Sequence, residues 1–398
     1  MIKSRFIIVA VASLAAVLFP LSGPLSALDN GLARTPLMGW ANWNGFGCHY
    51  DEATIKSMAD LLASTGMEAA GYKYLLIQEC IVPPGHRDRQ GNLVPDPKKF
   101  PHGMKALVDY IHSKGLKAGI YTDVGPLTCA GYEGSFNHEQ QDARTFAAWG
   151  MDLVEEDFCH KPAGYTAPQL YARMRDALAA TGRPMAFYIC DWGREAPWRW
   201  GPRTGNLWRT GPDITAPTGP AKWTNILRNF DINALHPEAS GPGGWNDPDM
   251  LCVGLPGITN REARAHFSLW AISAAPLLAG MDLRRMTPAD RAIFLNREVI
   301  AVDQDPLGIQ GRKVREDSPG LQVWAKRLAG ARQTAVVLLD RTQATARITV
   351  RWEDIGLGTA PAKVRDLWSH RDLGSFRGHY TAQVPSHGAV MLKITRAP

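Results

Sequence analysis

The chain lacks any run of lysines and arginines, and it has no basic stripe interleaved with aromatics. Its formal net charge is nonetheless +6 over 398 residues. Positive charge scattered in this way is a solvated surface, which argues against nucleic-acid binding. No CxxC pair and no HExxH occurs, so no metal site is implied, and nothing resembles a nucleotide cradle. No cofactor is implied. Beyond the first 27 residues no apolar run reaches the roughly 18 residues that a membrane helix needs. No repeat of solenoid period and no low-complexity tract is present.

What is present begins with an export signature. Lys3 and Arg5 supply a positive end, Ile7 to Phe19 an apolar core, and Ser26–Ala27 a small-residue exit. Residues 1–27 therefore read as a signal peptide, with an uncleaved anchor as the alternative. The expected product starts near Leu28, is secreted or periplasmic, and has no membrane association after cleavage. Six cysteines, at 48, 80, 129, 159, 190 and 252, make disulfides the expectation in that compartment. Their spacing does not give connectivity. Three bridges are allowed, and so are free, buried Cys190 and Cys252.

Apolar residues make up 45% of the chain, enough for a large core. Short apolar or mixed runs at 37–43, 74–79, 116–122, 151–157, 184–191, 206–210, 243–247 and 273–279 read as strands. Between and after them, 52–64, 104–113, 139–149, 167–180, 221–230, 261–272 and 288–301 carry helical spacing. Several end in glycine, as at Gly66, Gly115, Gly150 and Gly182. Eight such alternations predict a (β/α)8 TIM barrel over 28–310. From about Leu321 the texture becomes short alternating strands (LQVWAKR, TAVVLLD, ARITVRW, AKVRDLW, AVMLKIT). This predicts a C-terminal antiparallel β-sandwich domain over 311–398, after a linker near Gly308–Gly320.

A barrel builds its active site at the C-terminal ends of its strands. Gln78 and Glu79 close the second run, Asp157 the fourth and Asp191 the fifth. Asp213 follows the sixth, and Asp247 and Asp249 the seventh. Helix capping accounts for one or two such acids, but poorly for the whole ring. In LVEEDFCH, Leu153 to His160, strand alternation points Glu155 and Asp157 into the barrel mouth. Glu156 points to the helix layer, where a helix cap or a base is its expected partner. Asp157 and Asp213 are two strand steps apart, roughly 9–10 Å between backbones. Inward side chains can close that to the roughly 5–5.5 Å of retaining glycosidases. Trp40, Trp43, Tyr121, Trp192 and Trp208 are aromatics suited to a sugar's apolar face, although each alone reads equally as packing. In GPGGWNDPDM, Asn246, Asp247 and Asp249 read as rim braces.

These residues bring a resemblance into view. LDNGLARTPLMGWANWN, DPKKFPHGMKALVDYIHSKGLKAGIYTDVG, GPGGWNDPDML and VIAVDQDPLGIQG resemble glycoside hydrolase family 27, the α-galactosidase and α-N-acetylgalactosaminidase family. The resemblance covers roughly Leu28 to Gly311 and weakens toward the end. It implies a (β/α)8 barrel followed by an antiparallel β domain. It implies that Asp157 is the nucleophile of a KxD motif and Asp213 the acid/base of WRxxxDI, with Arg209 beside the nucleophile, keeping it ionised. Trp43 and Tyr121 match sugar-contacting aromatics and Met250 a pocket wall; Trp192 follows Asp191 in the CEW-like motif. Cys48–Cys80 and Cys129–Cys159 match family disulfides; the family partner of Cys190 falls near Gly205 here, so the resemblance implies that Cys190 and Cys252 are free thiols. The implied partner is an oligo- or polysaccharide, and a homodimer is compatible with it.

The departures concern the sugar-holding positions. Gln78–Glu79 replace an Asp-Asp pair, Glu155 replaces the lysine of KxD, and Asp191 replaces the glutamate of CEW. The resemblance implies an α-galactosidase. The departures leave room for a β-L-arabinopyranosidase or an isomalto-dextranase type on the same machinery. A non-catalytic carbohydrate-binding protein is the alternative of another class. Glu155 beside Asp157 predicts either an acid-shifted rate profile or a compensating cation, for which Arg209 is the candidate.

Overall fold

The structure is a computed structural model; it describes residue 28 and residues 30–397. The signal peptide expected over 1–27 lies outside the described residues. Among those described, no helix is long and apolar enough to cross a membrane.

Eight parallel strands form a curled sheet: β1 Met38–Ala41, β2 Tyr74–Ile77, β3 Lys117–Asp123, β4 Leu153–Asp157, β5 Ala186–Cys190, β6 Leu207–Arg209, β7 Trp245–Asp247 and β8 Leu277–Ala279. Their order is β7-β6-β5-β4-β3-β2-β1-β8. Leu251, just past β7, bridges Ala279 of β8 and closes the circle. The helices around it are α1 Trp43–Phe46, α2 Glu52–Ser64, α3 Met67–Ala70, α4 Gly103–Ser113, α5 Glu139–Trp149, α6 Ala167–Ala180, α7 Trp223–Asn233, α8 Asn260–Ser273, α9 Pro288–Phe294 and α10 Arg297–Asp303. The helical run expected over 288–301 is broken. Asn296 accepts from the backbone N–H groups of Glu298 and Val299, which starts a second helix there.

Inward residues such as Leu76, Leu153, Tyr188, Leu207, Trp245 and Leu278 fill the barrel as one cluster. Outward residues pack against the helices as another. Both faces are buried, so the strands read as near-continuous apolar runs. Gly39 is needed for close approach, since a Cβ there would meet the Tyr74 carbonyl oxygen at 2.2 Å.

The C-terminal strands are β9 Arg312–Ser318, β10 Leu321–Arg327, β11 Gln333–Asp340, β12 Ala346–Arg351, β13 Pro361–Asp366, β14 Arg371–Arg377, β15 His379–Val384 and β16 Ala389–Arg396. Six form an antiparallel sheet ordered β14-β13-β16-β11-β10-β9, and β12 pairs with β15. The two sheets enclose Val323, Val336, Leu338, Val350, Trp352 and Ile394. Most of the expected linker is therefore strand. β9 is an edge strand of mainly exposed charged residues, with register shifts against β10, so it carries no apolar alternation. Lys326 Nζ, buried in β10, donates to the Val302 carbonyl at 2.6 Å and ties this sheet to α10.

Candidate active site

β4 lies between β3 and β5 in a register that sets Tyr121 and Tyr188 on either side of Glu155, and Asp123 and Cys190 on either side of Asp157. Asp157 Oδ2 accepts from the Tyr121 hydroxyl at 2.8 Å, and Oδ1 from the Phe158 N–H at 2.8 Å. Burial pushes its carboxyl well above the usual range, and the nearby Asp123 and Asp213 charges add to this, while the Tyr121 and Phe158 donors oppose it. Glu155 is buried too. Its carboxyl is raised by burial first and by Asp157 second, and Gln78 Nε2 donates to it at 2.6 Å. The other end of the Gln78 amide is buried without a partner. A carboxyl–amide pair therefore forms part of the site where the resemblance leads one to expect a lysine.

Asp213 is on the loop after β6, and its side chain is half exposed at 51%. Arg209 Nη2 donates to it at 2.9 Å, and Arg209 Nη1 lies 3.2 Å from Asp249. The compensating cation is thus paired with Asp213 and Asp249, and no ion pair joins it to Asp157 among the described residues. Asp249 also accepts from the N–H groups of Ile214 at 2.8 Å and Met250 at 2.7 Å. It holds the backbone beside Asp213, and its own φ is a strained 98°. Burial raises its carboxyl to about 6, although Arg209 pulls the other way. Asn246 and Asp247 do brace the rim. Trp208 Nε1 donates to Asn246 at 2.6 Å, the Tyr188 hydroxyl donates to Asp247, and Asp247 accepts the Asp249 N–H at 2.7 Å.

Ten of the eleven sugar-site and catalytic residues expected from sequence line one cavity of about 130 Å³. Trp43, Tyr121, Trp192 and Met250 form its less polar walls, and Gln78, Glu79, Glu155, Asp157, Arg209 and Asp213 its polar surface. That volume is far below the roughly 300–1,000 Å³ of drug-sized pockets, and it suits a single sugar ring.

Asp191 is the exception and does not line the cavity. Its oxygens accept from the N–H groups of Gly193 at 2.9 Å and Glu195 at 3.0 Å, so it caps its own turn. Burial raises it to about 6. Glu79 lines the cavity, and its oxygens also accept from the Thr128 hydroxyl at 2.7 Å and the Ala130 N–H at 3.0 Å. These bonds flank Cys129. Trp40 and Trp208 are fully buried core and do not reach the cavity. Glu156 has neither a helix cap nor a base. Both its oxygens are buried without partners, and burial followed by the Asp123 charge raises its carboxyl well above the usual range.

Cys48 is bonded to Cys80 and Cys129 to Cys159, while Cys190 and Cys252 are free and buried. The Cys129 sulfur lies 3.3 Å from Asp157 Oδ2. Possible ligand atoms of Asp123, Cys129, Asp157 and Cys159 fall within 4.8 Å of one another. The two sulfurs are joined to each other, which removes both as thiolate ligands. Asp123 was missed by the sequence reading, although it closes its strand as Asp157 does. It accepts from the N–H groups of Gly125 at 2.7 Å and Cys159 at 2.8 Å, and burial raises it to about 6. Tyr188 was also missed; an inward tyrosine reads as core.

Comparison with known proteins adds an independent line. The family model described as "Alpha galactosidase A" matches residues 35–305, and that described as "Alpha galactosidase C-terminal beta sandwich domain" matches 318–394. An alpha-galactosidase of Oryza sativa subsp. japonica is 45% identical over 371 residues, covering 93% of this chain and 87% of its own. The crystal structure of alpha-galactosidase I from Mortierella vinacea superposes with a TM-score of 0.86 at 36% identity, covering 93% of this chain and 99% of that one. A GH27 β-L-arabinopyranosidase from Geobacillus stearothermophilus superposes with a TM-score of 0.83 at 24% identity, covering 92% and 97%, a likeness of fold alone.

Proposed function

Because the chain belongs to the alpha-galactosidase family, glycoside hydrolase family 27, and is a glycoside hydrolase, we propose that it is an exported, retaining exo-glycosidase acting on terminal α-D-galactosides. The observation that carries this reading is one small cavity in which two of the lining carboxylates, Asp157 and Asp213, stand in opposite environments. Asp157 is buried and held by two donors, whereas Asp213 is half exposed on an arginine. Carboxylates with such different surroundings are suited to different tasks.

Asp157 attacks the anomeric carbon and forms an ester to the sugar, while Asp213 gives its proton to the departing oxygen. Asp213 then takes a proton from a water that attacks the same carbon, which frees the sugar and Asp157. The closed pocket favours a chain end over an internal residue. Two disulfides support export, since such bonds persist in oxidising compartments.

A second reading is favoured by the Gln78–Glu155 pair, which replaces charge with a neutral amide and acid. On this reading the machinery is the same, and the preferred sugar is a β-L-arabinopyranoside or an α-D-glucoside. Initial rates on the aryl α-D-galactopyranoside, β-L-arabinopyranoside and α-D-glucopyranoside decide between them. A clear lead for the galactoside upholds the first reading. A lead for another sugar upholds the second. No turnover of any, or turnover that survives Asp157→Asn, overturns the mechanism.

A further inference from the structure

The net charge of +6 hides a division along the chain. Residues 311–398 carry 15 lysines and arginines against 7 aspartates and glutamates, whereas residues 28–310 carry 27 against 31. With histidine neutral, the antiparallel β region is therefore +8 and the barrel region −4. A molecule divided in this way is drawn to an anionic surface by its β region and held off it by its barrel.

The β region gathers part of that charge on one face. In the β12–β15 pair, Arg347 stands opposite Gln383, Thr349 opposite Thr381 and Arg351 opposite His379. Ile348, Val350 and Val384, the alternate residues, are buried in the sandwich, so this polar set faces out. The Trp352 N–H donates to the Gly378 carbonyl at 2.8 Å, and Arg351 and Arg377 flank that contact. An open cavity of about 650 Å³ lies on the same face, lined by Thr349, Arg351, Glu353, Thr359, His379, Thr381 and two glycines.

The arginines here are poorly compensated. Arg347 and Arg377 are exposed and form no ion pair among the described residues, and Arg351 comes no nearer to Glu353 than 3.9 Å. Two other acids of this region are taken, since Arg315 pairs with Asp317 at 2.7 Å and with Asp354 at 3.5 Å. Like charges left close together repel, and a polyanion relieves the repulsion. Two features select the kind of polyanion. Among the described residues the large exposed apolar side chains, Val94, Tyr165, Leu235 and Leu307, all belong to the barrel region, so this face has none to insert into a lipid surface or to stack on bases. The hydroxyls of Thr349 and Thr381, bonded to each other at 2.8 Å, and that of Thr359 offer hydrogen bonds that sugar hydroxyls can share.

We propose that the outer face of β12 and β15 is a docking surface for an acidic polysaccharide, one with carboxylates along its chain. The catalytic cavity takes no part in this inference, which stands whichever sugar that cavity prefers. The probe is polygalacturonate, and the reading is the Kd of the full chain. Wild type is expected to bind at about 20 mM salt and to weaken steeply as salt rises. The triple variant Arg347→Glu, Arg351→Glu, Arg377→Glu should lose about tenfold or more. A matched triple on the barrel, Arg89→Glu, Lys98→Glu, Arg144→Glu, should stay within threefold of wild type. An unchanged Tm shows each triple to be folded. Should the first triple unfold, the single variants Arg347→Gln and Arg377→Gln carry the test, with a loss of about twofold or more each. No binding by wild type at low salt, or equal losses in the two triples, overturns the surface. Tighter binding to phosphatidylglycerol vesicles or to oligothymidylate than to polygalacturonate overturns the choice of partner.

Discussion

Replacing Tyr121 with phenylalanine removes one hydroxyl and little else. That hydroxyl donates to Asp157 Oδ2 at 2.8 Å within a buried site. A hydrogen bond to a charged group contributes about 1.5–3 kcal/mol. In the proposed mechanism Asp157 attacks only when ionised, and burial, with Asp123 next, already raises its carboxyl. Wild-type kcat/KM is therefore lost as pH falls through a value above the ordinary carboxylate range. Without the Tyr121 donor the anion is harder to form, so the acid limb moves to still higher pH. At a fixed acid pH, where the ionised fraction limits the rate, the loss is roughly 10- to 150-fold, the same 1.5–3 kcal/mol expressed as a ratio.

On the plateau, where Asp157 is ionised in both proteins, the loss is smaller. The assay is kcat/KM on the aryl glycoside that wild type hydrolyses best, from pH 3 to 9. An acid limb that does not move refutes the reasoning. So does a drop of the same size at every pH, which would make Tyr121 a ligand of the sugar alone.

Asp157→Asn is expected to abolish turnover and to raise Tm at neutral pH. An acid whose folded pKa is raised favours folding below its unfolded pKa, and this is lost as pH rises through the folded value; a lower Tm would show that the ionised group is well compensated. Glu155→Gln keeps a partner for Gln78 and cannot ionise. It should retain activity and Tm to higher pH than wild type, whose Glu155 loses its proton as pH rises through its raised value, and superimposable pH profiles would remove the argument. Glu79→Ala leaves the Thr128 hydroxyl and the Ala130 N–H without their acceptor, at a cost of about 1–3 kcal/mol in stability. By shifting the loop that carries Cys129 beside Asp157, it should lower kcat more than it raises KM; a pure KM effect would make Glu79 a sugar ligand instead.

The barrel was legible because each of its strands is buried on both faces and each following helix has an apolar stripe. β9, β14 and β15 were not. Their exposed and half-buried residues are mostly polar or charged, and pairing alone keeps them in strand conformation. That Asp157 and Asp213 share one cavity was legible from position, as acids at or just beyond strand ends. The same rule put Asp191 on the rim, and the resemblance gave it a sugar-holding role. It does not line the cavity, because the chain turns back at once and the N–H groups of Gly193 and Glu195 reach the carboxylate first. For Glu79 the sequence gives its place on the rim, which the cavity lining bears out, but not the Thr128 and Ala130 loop that also donates to its oxygens.

The three consecutive acids of β4 show what does separate chemistry from architecture. All three are buried, and burial alone raises all three carboxyls. They differ in the donors that neighbouring chain segments bring to them. Asp157 accepts from a hydroxyl of β3 and from the backbone beyond its own strand; Glu155 accepts from one amide; Glu156 accepts from nothing among the described residues. Donors stabilise the anion and their absence favours the acid. A negative charge on Asp157 therefore has two donors to support it, one on Glu155 has one, and one on Glu156 has none among the described residues. Asp157 opens on the cavity with two donors, and it is the one of the three that the proposed mechanism uses to attack a sugar.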